Sequence, residues 1–187
     1  MAVTPLEVAY PLALIVVAMD LLSREKSGSG PNRGEDRGST MFLAGAVVAA
    51  LVLVPVLSVL PWWSATGTWL GWVGLPVLVV GVAIRIWARR TLGRFYSLTL
   101  TTKSEQSVVD WGPYHRIRHP GYLGYLLMWV GVAIASLSGI VALVVLSLVG
   151  FAYVYRIRSE ETMLLASMGD AYRQYRDRTR RLIPFVY

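Results

Sequence analysis

GYLGYLLMWVGVAIASLSGIVALVVLSLVGFAYVY, residues 121–155, is the stretch that decides the fold. A helix needs about 20 apolar residues to cross roughly 30 Å of hydrocarbon. This run is nearly twice that length, carries no charged side chain, and is interrupted at Ser136-Leu137-Ser138-Gly139. Serine and glycine there read as a tight turn, which makes the run two antiparallel helices. Toward the N-terminus, residues 5–22, 41–60 and 69–88 are three further apolar segments of spanning length. No alternating pattern points to a barrel. The expected fold class is an all-α integral membrane protein with five transmembrane helices.

Composition agrees. The chain has 187 residues, 55% hydrophobic and 16% charged, where soluble domains carry about 25% charged residues. It has no cysteine, which excludes disulfides, a thiol nucleophile and thiolate metal sites. Its two histidines, His115 and His119, share one short loop and leave little from which to build a zinc site, so no metal is expected. The opening Met1-Ala2-Val3-Thr4-Pro5-Leu6-Glu7 lacks a basic n-region or an Ala-x-Ala cleavage site. The first apolar segment is therefore expected as a retained span, not a signal peptide.

The 18 Lys and Arg residues give orientation. Arg24, Lys26, Arg33 and Arg37 lie between the first two segments. Arg85, Arg89, Arg90, Arg94, Lys103, Arg116 and Arg118 lie at the end of the third or after it. Seven arginines follow residue 155, and the N-terminus and the 61–68 and 136–139 turns hold none. The positive-inside rule places the N-terminus outside and the C-terminus in the cytoplasm. It also assigns the net charge of +7 to orientation and contact with anionic membrane lipids, with no nucleic-acid partner. Residues 24–40 read as a flexible polar cytoplasmic linker. Pro61-Trp62-Trp63, Trp69 and Trp72 read as an aromatic belt at the outer interface.

Chemistry is then expected in the two larger polar segments, 89–121 and 156–187, which flank the hairpin at its cytoplasmic face. The first contains Gly112-Pro113-Tyr114 and ends in Arg118-His119-Pro120-Gly121-Tyr122. Proline disfavours helix at His119 and makes Pro120 the first helical residue. The N–H groups behind Pro120 are expected to be free to bind a carboxylate or phosphate, and Gly121 allows close approach of a ligand. In the second segment Arg156 and Glu160 are one helical turn apart. They are a surface ion pair, or an arginine for a ligand anion beside a carboxylate for a ligand cation. Farther on, Met163, Leu164, Met168, Tyr172 and Tyr175 make an amphipathic helix, with a break at Gly169. It is either a fold-back lid or a lipid-surface anchor.

These motifs, with Met168-Gly169-Asp170-Ala171-Tyr172-Arg173-Gln174-Tyr175 and Leu182-Ile183-Pro184-Phe185, resemble the isoprenylcysteine carboxyl methyltransferase family and related phospholipid methyltransferases. The resemblance covers roughly residues 90–187. It implies an integral-membrane methyltransferase that uses S-adenosyl-L-methionine and acts on a membrane-embedded lipid or isoprenoid-like molecule, at a carboxylate. It implies cofactor-binding roles for Gln106, Ser107, Val108, Val109, Tyr114, His119, Pro120, Gly121, Tyr122 and Glu160, and a substrate-binding role for Arg156. Arg156 and Glu160 are the expected catalytic pair. Gln106 stands where many members have histidine. Residues 1–88 are then a three-helix scaffold and 89–187 the catalytic region. The Ala/Val/Arg-rich composition suggests a bacterial plasma-membrane protein, with its active site facing the cytoplasm. Two alternatives stand beside this. NADPH-dependent sterol and steroid reductases share a similar Arg-His-Pro-x-Tyr turn, and a non-catalytic membrane scaffold would need only lipid anchoring.

Overall fold

The computed structural model describes residues 3–25, 38–60, 68–93 and 108–183. They form helices α1 (Pro5–Glu25), α2 (Ser39–Ser58), α3 (Thr68–Trp72), α4 (Gly74–Leu92), α5 (Pro120–Ala135), α6 (Gly139–Met168) and α7 (Asp170–Arg178), with a 3-10 turn at Gly112–His115. Each apolar segment of the sequence is helical, the third in two pieces, α3 and α4. Ser39–Ser58, Trp69–Leu92 and Gly139–Met168 are long and apolar enough to cross a membrane, and Pro120–Ala135 is a shorter apolar helix. Among the described residues extended pairing is limited to one parallel bridge, Ile117 with Arg180. Most of the 24–40 linker, the Pro61–Trp63 part of the aromatic belt, Gln106, Ser107, Pro184 and Phe185 lie outside the described residues.

The turn inside the 121–155 run falls where serine and glycine place it. Leu137 takes a left-handed φ of 52°, and the Ser138 hydroxyl caps α6 by accepting the Val141 N–H at 3.4 Å. From there α6 runs unbroken to Met168, because nothing between Gly150 and Gly169 stops it. Gly169, at φ 55°, ends α6 and lets α7 turn away.

The most extensive helix contact is between α4 and α5, along a seam of paired glycines. A Cβ on Gly81 would stand 2.5 Å from the Gly124 carbonyl oxygen, and one on Gly131 would stand 2.6 Å from that of Gly74. The glycines repeat every seven residues on both helices, close to two turns, so one face of each is bare backbone. Lipid is as apolar as leucine, so membrane helices gain from such close packing, not from hiding side chains. Trp129, Met128 and Val132 of α5 form the centre of the core, with Ala9, Ala13 and Val17 of α1 and Val141, Val145 and Val149 of α6. Outward-facing Val48, Val52, Val56, Val79, Val80, Leu143 and Phe151 are exposed, as residues facing lipid would be.

A buried ionic knot ties α1 to this core. Asp20 accepts from Arg85 Nε at 2.8 Å, from Arg89 at 3.2 Å, and from the Tyr125 hydroxyl. The Arg85 guanidinium lies 3.7 Å from the centroid of the Tyr125 ring. Arg85 therefore does more than contribute to the charge pattern of the sequence. Its charge is neutralised inside the bundle, where an unpaired ion is costly.

Candidate functional site

The polar site is built where the start of α5, the C-terminal third of α6 and the C-terminal segment meet. Pro120 opens α5 and leaves His119 non-helical, at φ −124° and ψ 55°. Four N–H groups around this opening are taken up by the chain. Tyr122 and Leu123 donate to the His119 carbonyl, while Arg118 and His119 donate to the carbonyls of Arg180 and Arg181. The expected anion cradle at the helix start is thus largely occupied by the chain itself. No local feature of the sequence places residues 180–181 alongside 116–119.

Four of the expected site residues come together as side chains. The Tyr122 hydroxyl donates to Glu160 Oε2 at 2.6 Å and accepts from Arg156 Nε at 3.2 Å. His119 stacks on the Tyr122 ring, 5.5 Å between centroids and 14° between planes, with Nδ1 3.7 Å from Glu160 Oε2. Arg156 is only 2% exposed. Its Nη1 donates to Ser39 Oγ at 3.0 Å and Thr40 Oγ1 at 2.6 Å, at the start of α2. Tyr122 therefore joins Arg156 to Glu160, and α2 reaches into the site. A serine-threonine pair at the edge of a polar linker gave no sequence signal of that role.

The adjacent carboxylates have different surroundings. Glu161 is 5% exposed and receives Arg118 Nε at 2.8 Å, Arg181 Nε at 3.0 Å and His119 Nε2 at 3.4 Å. Arg118 also holds the C-terminal segment through the carbonyls of Arg176 and Thr179. Glu161 is a clamp. Glu160 uses one oxygen on Tyr122, its other oxygen has no hydrogen bond among the described residues, and its side chain is 24% exposed. Glu160 is the carboxylate with capacity for a ligand cation. Successive residues on a helix point about 100° apart, so the two acids divide these tasks.

The C-terminal segment folds over the site. Tyr172 and Tyr175 of α7 are buried, and the Tyr175 hydroxyl donates to the Tyr114 carbonyl at 2.8 Å. Tyr114 is buried in the 3-10 turn. Arg178 pairs with Asp110 at 2.7 Å, and Leu182 is buried. The apolar face of α7 is thus spent on the protein. Pro120 is buried and Gly121 half-buried at the opening of α5, while Val108 and Val109 are half-buried in the segment leading to the turn. Among the described residues no group of three or more His, Cys, Asp or Glu side chains is placed to hold a metal ion.

The class defined here is an all-helical membrane protein with a charged, aromatic-lined site at one end of its bundle. The isoprenylcysteine carboxyl methyltransferase family model matches residues 72–166, and the chain belongs to that family. It is 30% identical over 120 residues to protein-S-isoprenylcysteine O-methyltransferase B of Arabidopsis thaliana, covering 63% of this chain and 61% of that protein. It is 30% identical over 121 residues to the protein-S-isoprenylcysteine O-methyltransferase of Mus musculus, covering 64% of this chain and 43% of the mouse protein. The solved structure of a eukaryotic intramembrane Ras methyltransferase of the family superposes with a TM-score of 0.58 at 25% identity, covering 76% of this chain and 52% of that one. The chain therefore spans from about two-fifths to three-fifths of the length of these relatives.

Proposed function

We propose that this protein is an S-adenosylmethionine-dependent methyltransferase whose acceptor is a carboxylate on a membrane-embedded, isoprenoid-like molecule. In this reading five helices cross the membrane, with the N-terminus outside and the site at the cytoplasmic face. Residues 89–187 carry the chemistry, and the earlier helices carry scaffold together with Ser39 and Thr40. The observation that carries the proposal is the Arg156–Tyr122–Glu160 chain, an arginine and a partly spare carboxylate joined through one hydroxyl.

The residues present suit such a cofactor. Glu160 has an oxygen available for the donor's ammonium, and the stacked His119 and Tyr122 rings offer aromatic faces beside it. When bound, S-adenosylmethionine supplies an electrophilic methyl group whose displacement releases a neutral thioether. Arg156 orients the acceptor carboxylate, and its geometry is fixed beforehand by Tyr122, Ser39 and Thr40. A prearranged group of this kind costs no reorganisation at the moment of reaction. A carboxylate nucleophile carries no proton, so no general base is required. The rest of the task is alignment and exclusion of water, which suits a site closed by α7.

The family match gives the reductase alternative no support. The test is methyl transfer from labelled S-adenosylmethionine, with purified protein and either N-acetyl-farnesylcysteine or a long-chain fatty acid as acceptor. The expected product is a base-labile methyl ester on the isoprenoid acid. Label appearing only in base-stable linkage would show that the acceptor is not a carboxylate.

A further inference from the structure

Burying a hydroxyl without a partner costs about 1–3 kcal/mol, and native chains seldom accept that cost without a reason. Among the described residues, the Tyr172 hydroxyl is one of two buried side-chain polar atoms without a hydrogen-bond partner. Tyr172 is 3% exposed. The next tyrosine of the same face, Tyr175, lies 5.9 Å away ring to ring and has its own partner in the Tyr114 carbonyl.

The surroundings of Tyr172 point to a ligand. Glu161, Glu160 and Arg118 all lie within electrostatic reach of its hydroxyl. Glu161 and Arg118 are committed to each other, while Glu160 keeps a spare oxygen. A spare acceptor for a cation and an orphaned hydroxyl thus lie in one neighbourhood, on two helices that meet at the Gly169 break. Burial first, then Glu161 and Glu160, push the phenol's ionisation above the ordinary tyrosine value. Tyr172 therefore keeps its proton and acts as a donor, not as a base.

We propose that Tyr172 is a ligand-contacting residue, its hydroxyl donating to an oxygen at the amino-acid end of the methyl donor whose ammonium Glu160 holds. This rests on the reading of the site as a methyl-donor pocket. It also gives α7 a task beyond covering the site: the lid supplies one hydrogen bond that forms only when the ligand is in place.

Tyr172→Phe removes the oxygen and nothing else, and isothermal titration with S-adenosylhomocysteine reads the effect. The expected result is an affinity about tenfold weaker than the parent's, the usual scale of one hydrogen bond. The thermal midpoint of the ligand-free variant is expected to equal or exceed the parent's, because an unsatisfied buried hydroxyl is gone. Tyr175→Phe is the contrast. It breaks a bond already made and is expected to lower the ligand-free midpoint. Parent-like affinity in Tyr172→Phe, with the parent binding normally, would overturn the role of Tyr172 while leaving the pocket standing. Failure of the parent itself to bind would overturn the pocket and this role together.

Discussion

Replacing Glu161 by glutamine separates the clamp from the ligand site in one substitution. The carboxylate of Glu161 receives Arg118 at 2.8 Å and Arg181 at 3.0 Å. The Arg118 side chain is 8% exposed and that of Arg181 is 32% exposed. Breaking a buried ion pair from one side costs about 3–5 kcal/mol, because the other charge stays buried. The more exposed Arg181 adds at most about 1 kcal/mol. Glutamine keeps one carbonyl for Arg118, which places the expected loss near the lower bound, about 3 kcal/mol. In a chain of this size each kcal/mol moves the midpoint by roughly 2–4 °C, so the fall is roughly 6–12 °C. Thermal unfolding in detergent, followed by tryptophan emission, measures it. Glu160→Gln is the internal control. That side chain is 24% exposed and makes one hydrogen bond, to Tyr122, so its midpoint falls by less than a third as much. A fall in Glu160→Gln equal to or larger than that in Glu161→Gln would refute the division of labour.

The rest of the framework makes equally specific demands. Gly124→Ala puts a Cβ 2.6 Å from the Gly81 carbonyl oxygen and 2.8 Å from the Arg85 amide; overpacking of this kind costs about 1–3 kcal/mol, read as a lowered midpoint, whereas Gly150→Ala meets nothing within 4 Å and leaves it unchanged. Asp20→Asn strips the counter-ion from an Arg85 side chain that is 7% exposed, costs about 3 kcal/mol and lowers the midpoint by roughly 6–12 °C; an unchanged midpoint would show that the knot is not structural. Arg156→Lys cannot reproduce bonds from both Nε and Nη1, so turnover falls at least 100-fold while S-adenosylhomocysteine affinity stays within threefold.

The helices were legible because hydrocarbon thickness and side-chain polarity act on local stretches of sequence. The interruption at Ser136–Gly139 and the break at Gly169 followed from the same local rules. Arg156, Glu160, His119 and Tyr122 were legible as a group only because their motifs resemble a family; spacing alone left Arg156 and Glu160 open between an ordinary ion pair and a pair aimed at a ligand. Four features were not legible, each for lack of a local signature. The glycine seam needs two helices to be paired before the seven-residue repeat of Gly74 and Gly81 means anything. Asp20 finds its partners Arg85, Arg89 and Tyr125 at 65, 69 and 105 residues along the chain. Ser39 and Thr40 acquire a role only when α2 packs on α6. Glu161 becomes a clamp only through Arg118 and Arg181, 43 and 20 residues away along the chain.

The central claim is that Glu160 holds the cationic end of S-adenosylmethionine, and titration of S-adenosylhomocysteine into the parent and Glu160→Gln tests it most directly. A charged hydrogen bond is worth about 1.5–3 kcal/mol. The account predicts binding to the parent, with an affinity about 10- to 100-fold weaker in a Glu160→Gln variant that still folds. Equal affinity in the two proteins would contradict it.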